Sequence, residues 1–451
     1  MSGQVIVQRP LDTGALNTLR ERAERVLAEA RRHGATAAEV GVSLSQGLSV
    51  TVRMGDVETL EFHRDRGISL TVYFGQRKGS ASSGDDSDDS IREMVKAACA
   101  IAEHTGEDVA AGIAAAELMC ANAPDLDLYH PWAISPEEAI ADALRCEQAG
   151  RVDARIVNSE GASVNSGDSL RWYANSNGFS AGYPSSSHSR SCVLVAEQDG
   201  AMQRDYWYDS GRRADQLGDA ESVGRKAAER TLSRLGAQRP KTGKFPVLFA
   251  PEVASGLLGH FMGAISGGSL YRNATFLKDK LGETLFPEWV TLSENPLLRG
   301  GNGSAPFDHD GLATRAQNFV EKGVLASYAV GLYASRRLAI APTANGGGVR
   351  NLSISDSGED QAALLRKMHT GVLVREAMGP GVNLVSGDYS RGAAGFWVEN
   401  GEIQYPIEEF TIAGHLGDMY KNLAGSGTDI DDRGNVHVGS LLLSEMNVAG
   451  S

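Results

Sequence analysis

Apolar residues recur at helical spacing from residue 12 to 34, where Leu16, Leu19, Ala23, Val26, Leu27 and Ala30 share one face ahead of Gly34, so the spacing predicts a helix that stops at the glycine. From Ala38 the period drops to two. The run AEVGVSLSQGLSVTVRMGDVETLEFHRDRGISLTVYFGQRKGSAS alternates apolar and polar residues between turn-forming clusters at Ser45 to Gly47, Gly55-Asp56 and Asp65 to Gly67, which predicts an antiparallel meander. Helical spacing returns in SIREMVKAACAIAEHTG, with Ile91, Met94, Val95, Ala98, Ile101 and Ala102 on one face. It returns again after Ser135, which forms a capping box with Glu138 and is followed by Pro136 at the first helical position. Between residues 154 and 210 short strands alternate with the hairpin signals Asn177-Gly178 and Asp199-Gly200. A helix near Ala220 to Leu235 then runs into GAQRPKTGKFP, a polar connection where the pattern places a domain boundary near residue 240.

The second half opens on a strand, FPVLFA, continues into an apolar helix and becomes loop-rich. Its clearest later element is GFWVENGEIQYPI, a hairpin turning on Asn400-Gly401. The expected architecture is α+β: residues 1–240 form an N-terminal α/β domain with an antiparallel meander and helices, and residues 241–451 a C-terminal domain rich in antiparallel strands. No internal repeat or low-complexity tail interrupts it. The loop ANGGGVRN is rich in glycine but lacks the Lys-Ser/Thr of a phosphate cradle, so it reads as a tight turn.

Composition narrows the function. A chain of 451 residues, 41% hydrophobic and 22% charged, is an ordinary folded soluble protein. A net charge of −14 disfavours nucleic acid and anionic lipid as partners, since both are held by clustered Lys and Arg. The opening MSGQVIVQRPLDTG lacks a leader pattern, and no apolar run approaches the roughly 18 residues of a membrane span. A cytoplasmic location is expected. Cys99, Cys120, Cys146 and Cys192 lack CxxC spacing and read as buried thiols of a reducing compartment.

The stretch PEVASGLLGHFMGAISGGSLYRN, residues 251–273, has the outline of a metalloprotease helix. On a wheel of about 100° per residue, Val253, Ala254, Leu257, Leu258, Phe261, Met262 and Ile265 fill one arc. Ser255, Gly256, Gly259, Gly263 and Ser266 lie opposite, with His260 at the margin. Glycine inside a helix costs about 0.5 to 1 kcal/mol relative to alanine, so the bare face is expected to meet another chain segment or a ligand. A zinc site on one helix needs two imidazoles about a turn apart and a carboxylate base. Gly263, Ala264 and Ile265 occupy the next turn and Phe261 follows His260, so this helix is not a two-histidine site. His260 is then either a structural histidine or one ligand of a site completed by His309, His369, His415 or His437.

Three other groupings carry chemical interest. GFSAG, with His188 downstream, matches a nucleophile motif at Ser180, but Pro184 and a serine-rich strand follow where a helix is required. Asp429, Asp431 and Asp432 crowd a segment without the spacing or distal glutamate of a calcium loop, and read as a solvated turn. Asp388, Tyr389, Ser390 and Arg391 sit in a glycine-flanked turn beside the hairpin, where a rigid scaffold can present polar groups. The plainer alternative is that Asp388 and Arg391 pair to hold the turn.

The strings RKGSASS, APDLDLYHP, GLLGHFMGAISGGSLYR, SGDYSRGAAGFWVENGEIQYP and GSLLLSEMNVAG carry a resemblance along essentially the whole chain. The chain resembles the TldD/PmbA family, and within it the PmbA (TldE) branch. The resemblance implies a heterodimeric cytoplasmic zinc metalloprotease that degrades unfolded or small peptides, removes a microcin leader and takes part in antitoxin turnover. It also implies a zinc-bearing TldD-like partner whose metal is held by a HExxxH helix and a late cysteine. Laid on this chain by its flanking leucines and glycines, that motif puts Gly259 and Ala264 at the histidines and His260 at the glutamate, and no cysteine follows Cys192. The implied chain is therefore non-catalytic by itself, with no metal ligand and no cofactor of its own, and a homodimer when alone. His260, Gly263, Arg272, Asp388, Tyr389, Ser390 and Arg391 are the expected chamber or interface residues. Competing functions are a peptide-binding adaptor and a modulator of gyrase that acts through protein contact.

Overall fold

The computed structural model describes residues 10–450, and most of the N-terminal stretch read above for a leader lies outside them. The first half is organised on one antiparallel sheet in the order β3-β2-β1-β4-β5-β6. Its meander is simpler than the turn signals predict. β1 (Ala37–Arg53) and β2 (Asp56–Phe74) are long strands joined at Met54-Gly55, and β3 (Arg77–Ser83) follows. The chain does not turn at Ser45 to Gly47 or at Asp65 to Gly67. Ser45 pairs with Asp65 and Gly47 with His63, while β4 (Ile156–Asn175) pairs along the other edge of β1. Two flanking ladders thus override local turn chemistry. At Gly47 a Cβ would lie 2.4 Å from the His63 ring, so the glycine serves close approach.

Alternation along β1 sends Val40, Val42, Leu44, Leu48, Val50 and Val52 to one buried face. Helices α1 (Ala15–Arg32) and α2 (Asp88–His104) cover one end of that face, and α3 (Pro136–Gly150) the other. The predicted capping box of α3 is complete: Glu138 N–H donates to Ser135 Oγ, and Ser135 N–H to Glu138 Oε2. Ile101, expected on the buried face of α2, is 48% exposed. The β3 backbone at Gly79 presses so close to Ala98 and Ala102 that a Cβ would fall 2.1 Å from the Ala98 carbonyl, and the buried stripe turns toward Cys99 instead. The face of the sheet opposite the helices carries small polar residues and opens into a concavity of about 600 Å³ bordered by Gly41, Ser43, Ser69 and Ser169.

Both sequence-predicted hairpins of this half are present. β4 returns as β5 (Ser180–Gln198) through Asn177-Gly178, and β5 as β6 (Ala201–Gly211) through Asp199-Gly200, where both φ angles are positive, at 53° and 81°. Helix α4 (Ala220–Ser233) packs on α3 at Gly224, whose absent Cβ would sit 1.9 Å from the Cys146 carbonyl.

In the second half β7 (Gly243–Phe249) pairs with strands Gly371–Met378 and Leu441–Ala449. Strand Leu441–Ala449 pairs in turn with Glu402–His415, and that strand with Asp388–Glu399. Because Asp388–Glu399 also pairs with Gly371–Met378, the ladder closes on itself. Asn400 and Gly401, at φ 54° and 77°, form the expected hairpin turn. The architecture is α+β with mainly antiparallel strands; β7 is parallel to Gly371–Met378, and Leu352–Ile354 to Val436–His437. Among the described residues no helix is long and apolar enough to cross a membrane.

Candidate functional site on the glycine-faced helix

β7 delivers the chain directly into α5 (Pro251–Ala264), with Pro251 at the first helical position, where a missing N–H is harmless. The apolar arc read from the sequence is the buried one: Ala254, Leu257, Leu258, Phe261 and Met262 enter the largest core cluster. Tyr420, 1% exposed, donates its hydroxyl to the Leu257 carbonyl and packs edge-on against Phe261, which fixes the helix by its buried side.

The opposite side is largely bare. A Cβ built at Gly256 or Gly259 would meet nothing within 4 Å, and only Gly263 has a neighbour, the Leu384 methyl at 3.1 Å. The expectation that the glycines accommodate a packed segment therefore holds at one of three positions. Elsewhere the helix backbone faces open space within this chain.

Beside that face the structure gathers His260, Tyr389 and Arg391. The His260 and Tyr389 rings meet edge-on at a centroid distance of 6.1 Å. Tyr389 is buried in the core, and burial pushes its hydroxyl up to about 12 despite the opposing charge of Arg391. The Nε2 atom of His260 is buried without a hydrogen-bond partner among the described residues. Burial first, and then the Arg391 charge, lower the imidazole below its ordinary range. Arg391 donates to the carbonyls of Ala377 at 2.6 Å and Met378 at 3.4 Å.

The remaining residues singled out from the sequence lie apart. Strand alternation turns Asp388 and Ser390 to the exposed face of the strand, away from Tyr389 and Arg391. Asp388 accepts a hydrogen bond from Ser386 and does not pair with Arg391. Arg272 lies beyond the end of α5, exposed, stacked on Tyr271 beside Tyr333. Leu384 and Arg375, which join the site from strand Gly371–Met378 and the turn after it, left a faint signal. Arg375-Glu376 interrupts the apolar run of VLVREAM, a break that alternation alone does not explain.

The donor set around α5 does not fit a zinc ion. One imidazole, one phenol and one guanidinium are present where a zinc site requires three or four neutral or anionic ligands, and the guanidinium repels a dication. Gly259 faces open space and Ala264 is fully buried. Among the described residues no group of three His, Cys, Asp or Glu is placed to hold a metal ion.

The other motifs resolve into structure. Ser180 begins β5 and accepts a hydrogen bond from the Trp172 indole, while His188 lies eight residues along the same strand, about 26 Å away, with its Nε2 against the His130 carbonyl. Asp431 and Arg433 form a two-pronged ion pair, and Asp429 accepts from Ser440. Asp429 and Asp431 are thus held by protein partners, while Asp432 is exposed as a solvated turn requires. The four cysteines are free and buried.

A closed, mainly antiparallel ladder carries this helix, and a long six-stranded sheet precedes it in the chain; sequence comparison assigns the whole to a family of peptidases. Profiles of the first, central and C-terminal domains of the PmbA/TldA metallopeptidases match residues 38–102, 129–235 and 242–450, and the chain belongs to the PmbA/TldD family. It is 47% identical to "Metalloprotease PmbA" of Escherichia coli O157:H7 over 448 residues, covering 99% of this chain and 98% of that one. A Bacteroides thetaiotaomicron protein, named for a supposed role as a modulator of DNA gyrase, superposes with a TM-score of 0.91 at 27% identity, covering 96% and 99% of the two chains. TldE from Thermococcus kodakarensis superposes at 0.82 over 95% and 100%, and at 17% identity it shows the fold alone.

Proposed function

We propose that this chain is the zinc-free subunit of a heterodimeric metallopeptidase. It pairs with a TldD-like chain that supplies zinc and general base, and it contributes a wall of the chamber in which unfolded or small peptides are cut in the cytoplasm. Microcin leader removal and antitoxin turnover belong to the same reading. Alone, the chain is a homodimer without peptidase activity and without a metal. The observation that carries the reading is α5: a helix in the place of a zinc helix, with an open glycine face and a lone imidazole beside a guanidinium. Extended peptides bind by main-chain hydrogen bonds to a sheet edge that require no particular side chain, and the glycine face of α5 leaves room for such a chain to lie close. The test is co-expression with a TldD-like chain, co-purification, and mass spectrometry of a digest of unfolded peptides. Cleavage by the pair and by neither chain alone is expected; cleavage by the TldD-like chain unaffected by this one would overturn the reading.

The lack of a ligand set equally supports an adaptor that holds peptides and never joins a protease. A bound peptide that survives intact in the presence of the TldD-like chain would favour it. A gyrase modulator would have to act through protein contact, since a net charge of −14 disfavours DNA as a ligand.

A further inference from the structure

A cleft of about 320 Å³ lies between β6 and α4 on one side and α5 and strand Gly371–Met378 on the other, and it opens beside the glycine face at Ser255 and Gly256. Its lining holds five arginines against three carboxylates, in a chain whose net charge is −14. The carboxylates are largely used by two of the arginines. Arg230 binds Glu252 at 2.5 Å and Asp205 at 3.3 Å, and Arg234 binds Glu376 at 2.6 Å. Arg204 turns to Glu160, outside the cleft.

Among the described residues, two of these guanidinium groups remain without a close carboxylate. The hydrogen bonds of Arg391 among those residues go to backbone carbonyls. Arg375 has a single distant ion pair, 4.0 Å to Glu252, and its buried Nε has no hydrogen-bond partner among the described residues. A bulge puts Arg375 there. The ladder register slips between Val374 and Glu376, leaving Arg375 unpaired, so Arg375, Glu376 and Ala377 all border the cleft where regular alternation would send the middle one away. Burial of Arg375 without a full partner opposes its charge, which is a standing cost that an anion would relieve. The first turn of α5, at Glu252 and Val253, also borders the cleft, and its N-terminus adds positive potential.

We propose that this cleft is a carboxylate-binding subsite, in which Arg375 and Arg391 together take a carboxylate of the peptide that lies along α5. A planar guanidinium matches a carboxylate through two parallel hydrogen bonds. That the ligand is a peptide rests on the function proposed above; that it is an anion rests on the cleft alone. Two sources offer the same group: the C-terminal carboxylate of a peptide, and an aspartate or glutamate side chain within it.

The test is fluorescence anisotropy on the purified full chain with one labelled unstructured peptide in four forms. These have a free or an amidated C-terminus, each with an internal Glu or the corresponding Gln. Loss of the recognised carboxylate should weaken binding about tenfold, the magnitude of a charge-assisted hydrogen bond. Sensitivity to amidation identifies the terminus, and sensitivity to Glu→Gln the side chain. In Arg375→Gln and in Arg391→Gln the difference between the forms should fall below about twofold, with thermal melts confirming that each variant is folded. Equal binding of all four forms, an undiminished carboxylate preference in both folded variants, or no binding at all would overturn the proposal, because the whole lining belongs to this chain. The assay involves no hydrolysis. Carboxylate-dependent binding therefore supports the subsite even if the pair with a TldD-like chain proves inactive, which is the separate failure of the protease reading.

Discussion

His260 lies on α5 beside Tyr389 and Arg391, and its surroundings favour the neutral imidazole. Burial and the Arg391 charge lower its proton affinity below the ordinary value of 6.5. As pH falls through the mid-6 range, the unfolded chain takes up a proton at this position that the folded chain refuses, so stability is complete above that range and declines below it. Thermal melts at pH 7.5 and 5.5 should therefore show a smaller acid-induced drop for His260→Gln than for the unaltered chain. Equal drops would mean that His260 titrates normally in the fold. Replacing Arg391 with Gln should raise the His260 midpoint, measured by NMR on the imidazole proton, because the second cause of the depression is removed. An unchanged midpoint would place the guanidinium too far away to matter.

At the scale of elements, glycines divide into those that enable packing and those that leave a face bare. Gly224 joins α3 to α4 with no room for a methyl group, and Gly224→Ala should destabilise the chain by about 3 kcal/mol in urea unfolding. Gly259 has open space around it, so Gly259→Ala should stabilise the isolated chain by about 0.5 to 1 kcal/mol through helix propensity. Gly259→Leu should fold equally well yet lower peptide turnover by the complex. A folded, partnered Gly259→Leu with normal turnover would remove that face from the substrate path. Helix spacing, the capping box and the Asn-Gly and Asp-Gly turns were legible in the sequence, because each rests on local backbone chemistry. The continuous length of β1 and β2 was not, since it depends on pairing with β4, more than a hundred residues away. Nor was the parting of Asp388 from Arg391 or the bulge at Arg375, for a strand's register is set by its partners.

For the whole molecule, the family assignment followed from strings spread along the entire chain, and the α+β architecture from the periodicity of its apolar residues. The cleft did not: its arginines come from β6, α4 and two strands of the second half, and only the fold brings them together. The same view shows why composition is informative about partners. A net charge of −14 disfavours nucleic acid as a partner, even with an arginine-lined cleft present. The most direct measurement is zinc content and peptide turnover on one set of samples: this chain alone, a TldD-like chain alone, and the co-purified pair, each with and without chelator. If this chain is the zinc-free subunit, it should hold no stoichiometric zinc and show no turnover alone, and a pair holding zinc on the TldD-like chain should give chelator-sensitive turnover. About one tightly held zinc per chain in this protein alone, lost on changing His260 to Ala and accompanied by chelator-sensitive cleavage, would contradict that role.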